Sequence, residues 1–239
     1  MDEKKPVSAF IVGLFLFLGL FSLGYLLSHA AIKFKEYERS VTVKGLSERE
    51  FSADIVIWPI QFMVADNELS LLYEALEKNT ETIKAFLKKT GVAEGEVSVS
   101  TPSITDKSAQ SYQNSGNVEF RYSAIQTVTV YSANVDQVRS AMNGLLELGK
   151  KGIVFTAQDY QNRTEFLFTQ LNQIKPEMIE EATTKAREVA EKFAEDSSSK
   201  LGKIKRASQG QFSIEPRDTN NPHIKKIRVV STIEYYLSD

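Results

Sequence analysis

One stretch of this chain, Pro6 to Ile32, contains no Asp, Glu, Lys or Arg, and it constrains the fold more than any other feature. Its heart, Val7 to Leu27, holds 21 residues (VSAFIVGLFLFLGLFSLGYLL), among them Phe10, Phe15, Phe17 and Phe21. A helix rises about 1.5 Å per residue, so this segment matches the roughly 30 Å hydrocarbon core of a bilayer. An apolar run this long suits a membrane span better than a buried core helix. The main rival is a cleaved signal peptide, because Ser28-His29-Ala30 before Ala31 resembles a small-residue cleavage site. The apolar core of a signal peptide covers only about 7–15 residues, which favours the uncleaved anchor. Lys4 and Lys5 precede the span, while Lys33, Lys35 and Arg39 follow it, a slight bias toward a cytoplasmic C-terminal side. Long domains translocate largely regardless of such charges, so the rule does not set the orientation. The expected organisation is a tail over 1–6, a transmembrane anchor over 7–28, a connector over 29–39 and a folded region over 40–239.

Composition then removes whole classes of chemistry. The 239 residues include no cysteine, which excludes disulfides, thiolate nucleophiles, iron–sulfur clusters, Cys-ligated zinc and a lipid-modified N-terminal cysteine. Two histidines, His29 and His223, cannot build a multi-His metal site. Lys+Arg number 29 against 31 Asp+Glu, too balanced for the dense positive field that nucleic acid requires. No Gly-x-Gly-x-x-Gly, Walker loop, Gly-x-Ser-x-Gly or His-Glu-x-x-His motif occurs. No cofactor and no metal are expected. Glu48 with Glu50 and Glu180 with Glu181 are available as acid/base pairs, but carboxylates on turns and helix faces are ordinarily solvated. His223, beside Pro222 in a polar stretch, reads as a surface residue.

The folded region reads as two similar halves. Val41-Thr42-Val43 opens a strand ending near Gly45, and Phe51 to Val64 forms the next, with Pro59 implying an edge or a bulge. Asp66 or Asn67 can cap a helix with apolar positions Leu69, Leu72, Tyr73, Leu76, Ile83 and Leu87, stopped at Gly91. Strands near Glu96 to Ile104 and Val118 to Tyr131 follow, separated by a polar loop from Asp106 to Asn117. Asn134 with Gln137 starts a linking helix over 134–149. The order then returns: strands Ile153 to Tyr160 and Glu165 to Leu171, and a helix from Pro176 to about Leu201. That helix has an inner stripe of Ile179, Ala182, Ala186, Val189, Ala190 and Phe193, and Gly202 stops it. Strands Lys203 to Ile214 and Lys226 to Leu237 close the chain. The reading is an α+β domain of two hairpin–helix–hairpin (ββαββ) halves, about 40–132 and 150–239, with Gly91 and Gly202 in matching places.

These residues resemble the SIMPL-domain family. Val41-Thr42-Val43-Lys44-Gly45 followed by Phe51-Ser52-Ala53-Asp54 is similar to the family's opening Val-x-Gly strand and Pro-Asp pair. Gly91-Val92 before Val97 and Thr101 resembles its first helix-to-strand turn, and Phe120-Arg121-Tyr122 before Thr127-Val128-Thr129-Val130 its central strand. Phe155-Thr156 with Asp159 matches a Phe-x-x-x-Asp segment, and Ala182 to Phe193 with Leu201-Gly202-Lys203-Ile204 matches the second helix and its Leu-Gly turn. Ala53 stands where proline is common, and Ile125-Gln126 where Ser-Asn often occurs. The resemblance implies an exported envelope protein of bacteria, periplasmic or anchored in the inner membrane. It also implies links to stress tolerance, ring-like homo-oligomers in some relatives, and no catalytic residues to carry over.

Remaining signals concern contacts. Lys203, Lys205 and Arg206 begin one C-terminal strand, and Lys225, Lys226 and Arg228 begin its partner. If those strands pair antiparallel, the clusters lie at opposite ends. They can meet anionic lipid or an acidic partner, or simply guard an edge strand against aggregation. Tyr112 is the one large side chain of the polar loop and its natural anchor at a contact. Ala9 with Gly13 and Gly24 with Ser28 are small-xxx-small pairs in the span. The expectation is a noncatalytic, single-pass membrane protein with a periplasmic domain that self-assembles or binds a protein partner. The alternative is a carboxylate-based hydrolase without a readable motif.

Overall fold

The computed structural model describes residues 4–36, 39–109, 119–156 and 162–238. Tyr112 and most of the polar loop lie outside them. The first element is a single helix, α1 (Lys4–Glu36). Its apolar stretch Phe10–Ala30 has a mean hydropathy of 2.4 and is nowhere buried among the described residues, leaving Phe10, Phe15, Phe17 and Phe21 open along its length. A helix apolar all round needs an apolar surrounding, here a membrane or the export machinery that reads a signal sequence.

The rest is α+β: two antiparallel sheets with helices. The strands are β1 (Ser40–Ser52), β2 (Ile55–Asp66), β3 (Val97–Val99), β4 (Ser103–Asp106), β5 (Tyr122–Ser132), β6 (Val154–Phe155), β7 (Glu165–Leu167), β8 (Lys200–Gln209), β9 (Ser213–Pro216) and β10 (Ile224–Ser238). The helices are α2 (Leu69–Lys89), α3 (Val135–Met142), α4 (Leu145–Lys150) and α5 (Leu171–Asp196). One sheet runs β1-β10-β8 with β9 also on β10; the other places β5 and β2 at its centre. The sheets therefore do not follow the two expected halves. β1 does not form a hairpin with β2, but lies beside the last strand of the chain.

Two compact units result: residues 1–48, 175–213 and 228–239 form one, and residues 49–174 and 214–227 the other. In the second, strict alternation on β2 buries Val56, Trp58, Ile60 and Phe62. β5 adds Ala124, Val128 and Val130, and α2 covers them with Leu72, Leu76, Ile83 and Leu87. Pro59 lies inside a central strand, not at an edge, and its register opposite Thr129 carries no bulge. On the other side of β2, β7 pairs with 55–57 and β6 with 62–63. Pro59 falls in the interval between them, where a missing donor breaks no described pair. Leu69 and Tyr73 of α2 remain exposed, and neither Asp66 nor Asn67 caps it. Asp66 accepts from the Glu68 N–H at 2.9 Å, whereas Asn67 holds the backbone at Glu119 and Arg121. Asn134 does cap α3, accepting from the Gln137 N–H. The linking segment breaks at Gly144 into two helices, with Phe86 packed where a side chain at Gly144 would stand.

In the first unit α5 packs on the sheet through Val43, Ala186, Ala190, Ile233 and Tyr235. Gly45 does not end β1. The strand passes through it to Ser52, because the backbone there lies directly against α5: a Cβ would collide with the Ala182 carbonyl and the Ala186 nitrogen. Only small residues tolerate this approach, and α5 buries Ala182, Ala186, Ala190 and Ala194 with Met178. Val189 and Phe193, expected inside, are turned outward. The helix also starts earlier than Pro176, at Leu171, and ends at Asp196, where Ser198 adopts a left-handed φ of 54°. Gly202 is not its stop but a strand position pressed against Tyr236, so the correspondence with Gly91 is lost.

Gly45→Ala tests this packing. It should cost about 2–3 kcal/mol by forcing a backbone shift, lowering the urea midpoint of the detergent-solubilised chain. Gly95→Ala, which meets open space, should leave the midpoint nearly unchanged.

Candidate functional site

β8 pairs antiparallel with β10, from Ser231 opposite Gln209 to Ser238 opposite Lys200. Lys203, Lys205 and Arg206 stand on this outer strand, whose residues from Lys203 onward are all exposed. Lys205 bonds Glu234 at 3.0 Å, and Ser40 donates to the same carboxylate oxygen at 2.6 Å. Arg206 lies directly across from Glu234. Together these contacts hold the Glu234 carboxyl below its ordinary range, Ser40 contributing most. Lys225, Lys226 and Arg228 precede the part of β10 that pairs with β8, so the two clusters are not joined into one patch.

Within the second trio the residues differ. Arg228 is exposed and Lys226 half-buried, while Lys225 is only 8% exposed. Burial pushes its ammonium below the usual lysine range, with Glu165 opposing the shift. Tyr112 falls outside the described residues, although the neck of its loop is well built. Arg121 makes two bonds to the Asp106 carboxylate, the shorter at 2.9 Å, and Ser108 donates to it from both its amide and its hydroxyl. These donors, Arg121 foremost, hold the Asp106 carboxyl well below the carboxylate range.

Two surfaces stand out that residue patterns had not singled out. On α5, Val189 and Phe193 are 41% and 55% exposed at i,i+4 spacing. They border a shallow depression of about 400 Å³ with Glu188, Lys192 and Asp196. Ile204 of β8, 47% exposed, lies opposite Tyr235 and so shares the sheet face that α5 covers. The helical period had placed Val189 and Phe193 inward because it cannot register that only alanine fits against Gly45.

The second surface is a groove of about 450 Å³ in the other unit, between α3 and the 217–223 turn. Asp136, Arg139, Ser140 and Asn143 form one wall; Thr164, Asn220 and His223 form the facing one. Asp218 fixes the turn, accepting from the Asn220 and Asn221 N–H groups at 2.9 and 2.8 Å and from Arg217 at 2.9 Å. Its carboxyl is lowered to about 2, chiefly by Arg217. That support is complete above the ordinary carboxylate range and is lost as the pH falls toward 2. His223 is half-buried, and burial followed by the Arg139 charge keeps its imidazole below the usual range. The Asp-Thr-Asn-Asn-Pro run was a legible turn signal in the sequence.

Of the acidic pairs considered for catalysis, Glu181 accepts from Ser47 at 2.9 Å and bonds Lys185 at 2.6 Å, while Glu50 lies 3.6 Å from Arg217. Among the described residues no group of three or more metal-ligating side chains gathers.

Residues 41–229 match the SIMPL family, described as a protein of unknown function (DUF541). No curated protein matches the chain.

Lys225→Met tests the burial. A lysine whose folded pKa lies below its unfolded value of 10.5 binds its proton less readily in the fold. Its penalty is full at neutral pH and shrinks as the pH rises toward about 10. The variant should unfold at higher urea than the parent at pH 7, and the gap should narrow at pH 9.5.

Proposed function

This chain belongs to the SIMPL family, and from that premise we propose that it is a noncatalytic, membrane-anchored protein of the bacterial cell envelope that works by self-assembly. α1 tethers it to the inner membrane in a single pass, and the folded region stands on the periplasmic side. A role in envelope stress tolerance follows from the family resemblance.

The observation that carries the reading is the outward face of α5. Val189 and Phe193 expose apolar surface on a helix whose other side is already packed. Glu188, Lys192 and Asp196 flank them with both signs of charge. A patch of this kind suits a second copy approaching about a two-fold axis, where the same residues meet themselves. The basic outer strand β8 has the opposite character. Lys203, Lys205 and Arg206 guard it, so it is the less suitable place for two copies to meet.

The pattern of carboxyl groups supports a noncatalytic role. A hydrolase working through two carboxyls needs one held protonated near neutral pH. The described carboxyls with a clear displacement, Asp106, Asp218 and Glu234, are all held lower by hydrogen-bonding donors. Each is committed to holding a turn or a strand in place.

Light scattering on the detergent-extracted chain tests the assembly. An oligomer that Phe193→Asp converts to monomer is the expected outcome; a strictly monomeric parent overturns the reading. The intact mass of protein purified from membranes tests the anchor. Retention of residues 1–30 is expected, and a product beginning at Ala31 would replace the anchor with a cleaved leader.

A further inference from the structure

α3 has two unlike sides. Val135, Val138 and Ala141 enter the core. Asp136, Arg139, Ser140 and Asn143 follow one another at i, i+3, i+4 and i+7, so they form one stripe, and all of them line the groove. A merely solvated helix face needs no opposing wall. This one has a wall, and it is held rigidly. Asp218 ties down Asn220 and Asn221, the His223 carbonyl accepts from the Ala53 N–H at 2.7 Å, and the His223 ring meets Phe166 edge-on at 6.0 Å. A backbone fixed in this way loses little freedom when a ligand arrives, which favours affinity from a few hydrogen bonds.

The lining also restricts what can bind. Its one cation and one anion, Arg139 and Asp136, lie 3.5 Å apart and compensate each other. A ligand with net charge therefore finds no uncompensated opposite charge. An apolar ligand would strand the amides of Asn143 and Asn220. Each of those amides donates and accepts, as does a neutral imidazole at His223. A ligand hydroxyl does the same. Adjacent hydroxyls can donate to Asp136 and accept from Arg139 together, without opening that pair. Met142, Phe166 and Pro222 supply apolar surface for C–H groups, in the mixture usual for small-molecule sites.

We infer that the groove between α3 and the 217–223 turn binds a neutral saccharide of one or two rings through Asp136, Arg139, Asn143, Asn220 and His223. This inference does not depend on self-assembly.

The test uses the full chain in a detergent without a sugar headgroup. Maltose, N,N′-diacetylchitobiose, glycylglycine and inorganic phosphate are titrated separately, with binding read by calorimetry and by ligand-observed NMR. At least one saccharide should bind with millimolar affinity or better. Arg139→Gln and Asn143→Ala should each weaken it about tenfold or more, the loss expected for a bond to a charged or fixed polar group. Ser140→Trp, which fills the groove while leaving those partners in place, should abolish binding. Lys84→Gln, on exposed α2 surface, should not alter it. Equal unfolding midpoints for the variants confirm that the fold is intact. Absence of saccharide binding overturns the inference. So does saccharide binding that all four variants share, or groove-dependent binding of glycylglycine or phosphate in place of a saccharide.

Discussion

The approach of β1 to α5 at Gly45 governs one of the two compact units. With no side chain at Gly45, the strand backbone lies against the helix at Ala182 and Ala186. The contact joins residues more than 130 positions apart, which a local strand signal cannot reveal. Once it forms, the helix positions against Gly45 must be small; Ala182 and Ala186 supply them, and Ala190 and Ala194 continue the stripe at every fourth position. Alanine contributes little buried area per residue. The unit therefore depends on close approach and on Tyr235 and Ile233 from the sheet, where the other has Trp58, Phe62 and the leucines of α2.

That geometry also determines which surfaces remain open. A helix lying close on β1 and β10 turns Val189 and Phe193 away from the sheet. It also leaves Ile204 of β8 largely uncovered. A bulkier inner stripe would raise the helix and change which residues it buries. The outward apolar face and the tight inner contact are thus two results of one choice of residue size. Polar groups accompany this packing. Ser47 is fully buried and satisfied by Glu181, whereas the buried Ser231 hydroxyl has no partner among the described residues, which costs stability there.

How much of this was legible follows from which signals are local. α1 could be read directly, because a charge-free apolar run needs no tertiary information. The run of β-branched and aromatic residues through Val56, Trp58, Ile60 and Phe62 identified β2, and the Asn134–Gln137 pair identified the start of α3. The SIMPL resemblance, built from short motifs in order, agrees with the family match over 41–229. Sheet partnership was not legible. Two hairpin–helix–hairpin patterns suggested two halves, but pairing is decided by which edges meet in space, and β1 meets β10. Gly45 and Gly202 were read as ends because glycine punctuates chains; both are close-contact positions inside strands. The basic residues were seen as one class, while burial separates Lys225 from Arg228. The stripe Asp136, Arg139, Ser140 and Asn143 was present in the sequence too. Without the opposing turn it is indistinguishable from an ordinary solvated face.

Electrostatics in this protein serves position. Asp106 closes the neck of a loop with Arg121, Asp218 organises a turn, and Glu234 ties Ser40 of β1 to Lys205 of β8 across the strand between them. In each case donors surround the carboxylate and stabilise its charge, the opposite of the apolar surroundings that would keep a carboxyl protonated for proton transfer. Such a carboxylate makes a good strut and a poor acid. The groove beside α3 follows from the same economy: a turn that Asp218 has already made rigid presents Asn220 and His223 to a helix capped by Asn134. Rigidity required for the fold is thereby available for recognition, and the net charge of the lining is left near zero.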